Sequence, residues 1–325
     1  MDIRQICVLA LVVILTLPSS SAAISGSYGT VAASYVKKSA IVWMGLEITG
    51  ENVSADIQSI GIHRNDLTGV SYEHYLLGSQ GYFGPILTVS NVTGKIRSFG
   101  LQTYPMVIST NLVDIEYLIG HPSGFIGKAV SKARGAGYTG YNIDFEPSQA
   151  ANSSVAAAYA SFLASFANAL HEQGKKLTVD IATWNPFWNF TELANTTVNT
   201  LYDMGTYASP SFNFAAALGY ANATIPHSKL GVGLITVDVN NGAILQNYSV
   251  SARFIALEAD GVDKIAVWEM PLASYWWPYL HRFLETGSVS DNSIIAGYTA
   301  GGVAVLALIA VTAFIILRKR MRKKK

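Results

Sequence analysis

Residues 140–147 read Gly-Tyr-Asn-Ile-Asp-Phe-Glu-Pro. The run reads as a short β-strand that stops at a proline. Side chains alternate between the two faces of a strand, so Asn142, Asp144 and Glu146 share one side while Tyr141, Ile143 and Phe145 share the other. The apolar set would pack under covering helices. The polar set would face the inside of a barrel or the mouth of a cleft. Glu146 stands nearest the strand's C-terminal end, where parallel α/β folds place their sites. Acids at a strand end can also solvate a loop or cap the next helix, so the rest of the chain must decide between these uses.

Working outward, the sequence alternates strand and helix patterns. On the N-terminal side, residues 40–48, 67–77 and a stretch within 101–109 have the composition of strands, and 52–65 is polar. Residues 112–134 have helical apolar spacing at Leu112, Ile115, Leu118 and Ile119, broken at 121–124 and resumed at 125–133. On the C-terminal side, an Ala-rich helix at 154–173 precedes strand patterns at 176–184, 201–207, 229–237 and 264–268. Helical stretches fall at 190–199 (in part), 212–220, 251–260 with Ser251 as a candidate N-cap, and 274–284. Eight strands separated by helices, within the roughly 250 residues typical of the architecture, predict a single (β/α)₈ TIM barrel of the α/β class over residues 24–286. An open doubly wound sheet fits less well, because no Gly-rich phosphate loop follows the first strand.

The central stretch resembles the catalytic strand of family 18 glycoside hydrolases, the chitinases and endo-β-N-acetylglucosaminidases, whose signature runs Asp-Gly-x-Asp-x-Asp-x-Glu. Gly140, Asp144 and Glu146 match it, Thr139 stands for the first Asp, and Asn142 stands for the middle Asp, as in chitobiase-like members. Residues 264–271, Lys-Ile-Ala-Val-Trp-Glu-Met-Pro, resemble the family's last strand, which places a Trp at the floor of the sugar site; Trp268 takes that position. A barrel-core aromatic is the alternative for it. Residues 229–234 resemble the seventh strand. In the sixth, Tyr207 is the counterpart of the tyrosine that holds the substrate's acetamido group, although the spacing to Met204 differs and Ala208 replaces an Asp. The third strand lacks the family's Ser-x-Gly-Gly. Asp180, Ala182 and Trp184 share a face in the 176–184 pattern; Asp180 would either hydrogen-bond near Asn142 or serve as a structural layer residue. Trp184 and Trp188 would line subsites or pack as hydrophobics.

The ends of the chain point to a membrane. Arg4, the apolar run 6–17 and the small residues 19–23 have the layout of a secretory signal peptide over 1–23. After a linker at 287–293, residues 294–317 carry no charge, and about 20 apolar residues suffice for a transmembrane helix. Seven of the last eight residues, 318–325, are basic, which would keep this tail in the cytosol. The expected topology is a single-pass cell-membrane protein with its barrel on the extracytoplasmic side. The whole chain has 22 basic and 21 acidic residues; eight of the basic and one of the acidic lie in the two ends, so the body is acidic by about six charges. Nothing in it suggests nucleic acid. The single cysteine, Cys7, lies in the leader, and the six histidines have no metal-ligand spacing, so neither a disulfide, a metal nor a cofactor is expected. Seven Asn-x-Ser/Thr sequons, from Asn52 to Asn247, make surface glycosylation plausible.

Two acids at i and i+2 on one strand face lie side by side and do not flank a glycosidic bond as a nucleophile and acid must. The resemblance implies a way around this: the 2-acetamido oxygen of the sugar attacks in place of a protein nucleophile. It implies Glu146 as acid and base, Asp144 orienting the acetamido group and Tyr207 holding it, with Asn142, Asp180, Trp184 and Trp268 in the binding site of an N-acetylglucosamine-containing saccharide. A sugar-binding surface lectin on the same barrel and a membrane-anchored scaffold are the competing functions.

Overall fold

The computed structural model describes residues 37–45, 52–86, 91–208 and 211–286. The expected leader, linker, membrane span and basic tail lie outside the described residues. Nine strands form one sheet: β1 Ser39–Met44, β2 Gly69–Gly78, β3 Tyr82–Pro85, β4 Gln102–Ser109, β5 Gly140–Phe145, β6 Lys176–Ile181, β7 Thr200–Asp203, β8 Leu230–Ile235 and β9 Lys264–Trp268. Apart from β3, they run parallel in the order β1-β9-β8-β7-β6-β5-β4-β2, and β1 pairs with β2 to close the ring. The chain is therefore the expected eight-stranded barrel. Its helices are α1 Val53–Ile62, α2 Val92–Ser98, α3 Leu112–Gly120, α4 Pro122–Ala136, α5 Ser153–His171, α6 Phe190–Ala194, α7 Ser211–Thr224, α8 Asn247–Ala259 and α9 Trp276–Glu285.

The alternation read from the sequence separates two apolar layers. Outward side chains Tyr141, Ile143 and Phe145 join one core cluster with the helices: Tyr141 packs on Phe166 and Phe145 on Tyr159, both of α5, and Phe166 meets Phe125 of α4. Full burial of such a side chain contributes about 1.5–3 kcal/mol. A smaller cluster, Ile41, Trp43, Met106, Tyr202 and Ala266, fills the barrel itself. Gly140 is required by a close approach: a Cβ there would stand 2.1 Å from the Lys176 carbonyl oxygen of β6.

Several local expectations are corrected. Polar residues 52–65 hide α1, which starts where the Asn52 side chain accepts from the Ala55 amide at 3.1 Å and buries Ile57 and Ile60. α2 and the antiparallel β2–β3 hairpin were likewise not visible in the sequence pattern. Helix α4 resumes at Pro122, whose missing N–H costs nothing in a first turn. Helix α8 begins at Asn247, so Ser251 is an interior residue and no cap. The strand patterns at 176–184, 201–207 and 229–237 overrun: these strands end at Ile181, Asp203 and Ile235, and Met204–Tyr207 forms a 3₁₀ turn.

Candidate active site

The barrel's strand register brings three acids together. Asn142 and Asp144 point inward from β5 and Glu146 follows at its mouth. Asn142 pairs with Thr178 across the β5–β6 ladder, so one further step on the same face sets Asp144 beside Asp180. Asn142 is fully buried behind them. Its Nδ2 donates to Asp180 Oδ2 at 2.5 Å and its Oδ1 accepts from the Thr178 hydroxyl at 2.5 Å. The Glu146 backbone amide donates to the Ser109 carbonyl at 2.9 Å, and Asn185 Nδ2 donates to the carbonyls of Pro147 and Gln149, each at 2.9 Å. The loop that presents Glu146 is thus tied on both sides, to the end of β4 and to the loop after β6.

These acids open onto a cavity of about 260 Å³ at the C-terminal mouth of the barrel. Asp144, Glu146 and Asp180 form its polar wall. Trp43, Trp184, Tyr207 and Trp268 supply aromatic surface, and Met106, Met204 and Ile235 fill the gaps between them. Trp43 organises the rings at the floor, meeting Tyr202, Tyr207 and Trp268 edge to face at centroid distances of 5.6, 6.5 and 6.4 Å. Trp184 is 56 % exposed at the rim. An aromatic basin with a few convergent polar groups suits a flat apolar-faced ring that must be held in one orientation.

Burial dominates the electrostatics. It pushes the Asp144 carboxyl well above the ordinary aspartate range, and the charges of Glu146, Asp180 and Glu73 push it further. Asp180 is raised well by burial too, against the opposing bond from Asn142. Glu146 is raised by burial, partly offset by its hydrogen bond with Asp144. Three neighbouring acids in a desolvated corner do not all ionise together, so the set holds a proton more tightly than ordinary carboxyls do. Asp144 Oδ1 and Asp180 Oδ1 are both buried without a hydrogen-bond partner. Such oxygens are costly unless a proton or a ligand donor reaches them.

Tyr207 owes its place to the 3₁₀ turn. Asp203 Oδ1 accepts from the Gly205 amide at 2.9 Å, and the Thr206 hydroxyl bonds to the carbonyls of Asp203 and Gly233. Gly233 has no side chain to obstruct the ring: a Cβ there would lie 3.0 Å from Tyr207 Cε1. The phenol is kept protonated by burial first, then by the charges of Asp180, Asp144, Glu146 and Glu269.

Of the residues singled out in the sequence, Asp144, Glu146, Asp180, Trp184, Tyr207 and Trp268 line this one cavity, and Asn142 supports it from behind. Trp188 is buried, packs edge to face on Trp184 at 5.6 Å, and does not line the cavity. Sequence reasoning missed Trp43, Met106, Met204 and Ile235. Inward alternation along β1 from Ile41 could have found Trp43; the others are apolar residues that any core would contain. Among the described residues, no group of three His, Cys, Asp or Glu side chains is arranged to hold a metal ion.

No protein-family model and no curated protein matches the sequence. Solved structures do match the fold. A chitinase from Chromobacterium violaceum superposes with a TM-score of 0.64 at 14 % identity, covering 76 % of this chain and 99 % of that one. The spore cortex-lytic enzyme SleL of Bacillus megaterium gives 0.63 at 12 %, covering 78 % and 74 %. The GH18 chitinase ChiB of Flavobacterium johnsoniae gives 0.57 at 12 %, covering 76 % and 94 %. At such identities the likeness establishes a shared barrel fold.

Proposed function

We propose that the chain is a glycoside hydrolase of the family 18 type that cleaves β-linked N-acetylglucosamine-containing glycans with retention of configuration. The observation that carries this reading is the convergence of Asp144, Glu146 and Tyr207 over an aromatic floor at the mouth of the barrel. Glu146 donates its proton to the leaving oxygen while the sugar's own acetamido oxygen closes on the anomeric carbon. Asp144, through its unpartnered Oδ1, accepts the acetamido N–H, and the protonated Tyr207 hydroxyl donates to the acetamido oxygen. An N–H approaching Asp144 favours its carboxylate form. The shared proton then resides on Glu146, where the first step needs it. Glu146 next takes a proton from water as that water opens the oxazolinium ring. Trp268, backed edge to face by the buried Trp43, supplies the apolar face on which the ring lies.

Residues 294–317 would anchor this enzyme in the cell membrane with its barrel outside and its tail in the cytosol. The test is an assay of the full-length chain and its Glu146→Gln variant against chitin oligosaccharides, N-glycan cores and peptidoglycan. Hydrolysis of one of these by the wild type and none by the variant is expected. Binding without hydrolysis in both would identify a lectin, and no binding a scaffold.

A further inference from the structure

The sheet does not stop at the closed barrel. Strand β1 pairs with β2 only as far as Tyr72. Above that point β3 takes the edge of β2 that β1 has left, pairing residues 82–85 with residues 75–78. The hairpin therefore stands at the C-terminal end of β2, on the side of the barrel where the cavity opens.

Strand register joins one face of this hairpin to the catalytic row. Asp144 of β5 pairs with Ile108 of β4, Ile108 with Leu76 of β2, and Leu76 with Gly84 of β3. Paired residues point to the same side of a sheet, so all four face the way Asp144 does. A bulge between Glu73 and Tyr75 makes this possible: the extra residue, His74, shifts the alternation of β2 and turns Leu76 inward. At a strand spacing of about 4.8 Å, Gly84 stands roughly 14 Å along this face from Asp144.

The hairpin's share of that face is apolar and uncovered. Leu76 is 41 % exposed and Tyr82 57 %. Tyr82 pairs with Gly78, and its phenol end lies over Gly84: a Cβ on Gly84 would stand 2.1 Å from Tyr82 Oη, and one on Gly78 3.4 Å from Tyr82 Cδ1. Two glycines thus make a bed for the ring. The opposite face is core. Leu77 and Phe83 are buried there, and Phe83 packs on Tyr75 at 4.4 Å and on Phe125 of α4 at 4.9 Å. The buried face holds the hairpin in place and leaves Tyr82 to the solvent side. A ring on a rigid backing, with its other side open, suits the apolar C–H face of a pyranose, and its hydroxyl lies at the edge to meet those of the sugar.

We propose that Leu76 and Tyr82 form a second saccharide platform, which takes a unit of the glycan chain beyond those held in the cavity and makes the enzyme prefer long chains. This rests on the hydrolase reading above. The occupant is the substrate chain itself, because the platform continues the face on which Asp144 stands and a chain leaving the cavity over β4 and β2 runs onto it.

The experiment separates the two ideas. Full-length Glu146→Gln, which binds without turnover, is titrated calorimetrically with chitobiose and with chitohexaose, and the ratio of the two affinities is the readout. Adding Tyr82→Ala is expected to lower that ratio about tenfold, equivalent to about 1.4 kcal/mol. Adding Tyr82→Phe should preserve it, because the ring face remains. A ratio that Tyr82→Ala leaves unchanged, even with both affinities reduced, or that falls as far in Tyr82→Phe, overturns the inference and leaves the hydrolase reading standing. So does chitohexaose binding no more tightly than chitobiose before either change. Failure of both oligosaccharides to bind overturns both ideas.

Discussion

The side chain of Asn142 donates to Asp180 Oδ2 at 2.5 Å, so an amide from β5 holds a carboxyl from β6 against Asp144. Asp180 is therefore both part of the cavity wall and a source of negative charge on its neighbour, and its charge raises the proton affinity of Asp144. Asp180→Asn removes that charge. The acidic limb of the kcat/KM profile, which on the proposed mechanism reports the ionisation of Asp144, is expected to move to lower pH. The maximal rate should fall roughly 10- to 100-fold as the constellation loosens. A pH–rate profile decides; an unmoved acidic limb would show that Asp180 is only a structural filler.

Stability should depend on pH in a direction set by buried acids. Burial lifts Asp203 from 3.8 to about 7, against the opposing bond from the Gly205 amide. The folded chain thus keeps a proton that the unfolded chain releases. The associated stability is complete below about 4 and is lost as pH rises through about 7. Asp144, Asp180 and Glu146 are shifted in the same direction. Thermal unfolding should give a lower Tm at pH 8 than at pH 5, and Asp203→Asn, which still accepts from Gly205, should flatten part of this slope. A Tm that rises over the same interval contradicts the assignment.

Gly233 faces two groups that cannot easily yield. A Cβ would meet the Asp203 carbonyl oxygen at 2.8 Å and Tyr207 Cε1 at 3.0 Å. Gly233→Ala should cost about 1–3 kcal/mol of stability through overpacking, or about 2–4 °C of Tm per kcal/mol. Because the ring is the more mobile neighbour, kcat should fall more than tenfold while the variant remains folded at the assay temperature. A folded variant with full kcat would show that the position of Tyr207 is not critical.

The barrel and most of the polar residues lining its cavity were legible in the sequence for one reason: the strand period of two. Alternation along residues 140–147 sorts Tyr141, Ile143 and Phe145 to the helices and Asn142, Asp144 and Glu146 to the interior, as the structure places them. It fails where the chain leaves regular structure. Tyr207 reaches the cavity from a 3₁₀ turn that an apolar run does not distinguish from a longer strand. Asn185, which ties down the loop carrying Glu146, acts through backbone carbonyls 36 and 38 residues away, a contact with no local pattern. Trp43 looked like an ordinary core residue until the closure of β1 on β9 and β2 set it beneath the acids. Helix α1 escaped notice because its buried stripe of Ile57 and Ile60 is thin among polar neighbours.

The central claim is that the substrate's acetamido oxygen, and no protein carboxylate, attacks the anomeric carbon. Asp144 and Glu146 project from the same strand edge and lie too close together to grip opposite faces of one sugar. The most direct measurement compares two aryl chitobiosides that differ only in whether the sugar bearing the leaving group carries a 2-acetamido group or a 2-hydroxyl, following the anomeric configuration of the first product by NMR. The account predicts release from the acetamido substrate alone, with retained configuration. Comparable rates on both substrates, or a glycosyl ester trapped on Asp144, would contradict it.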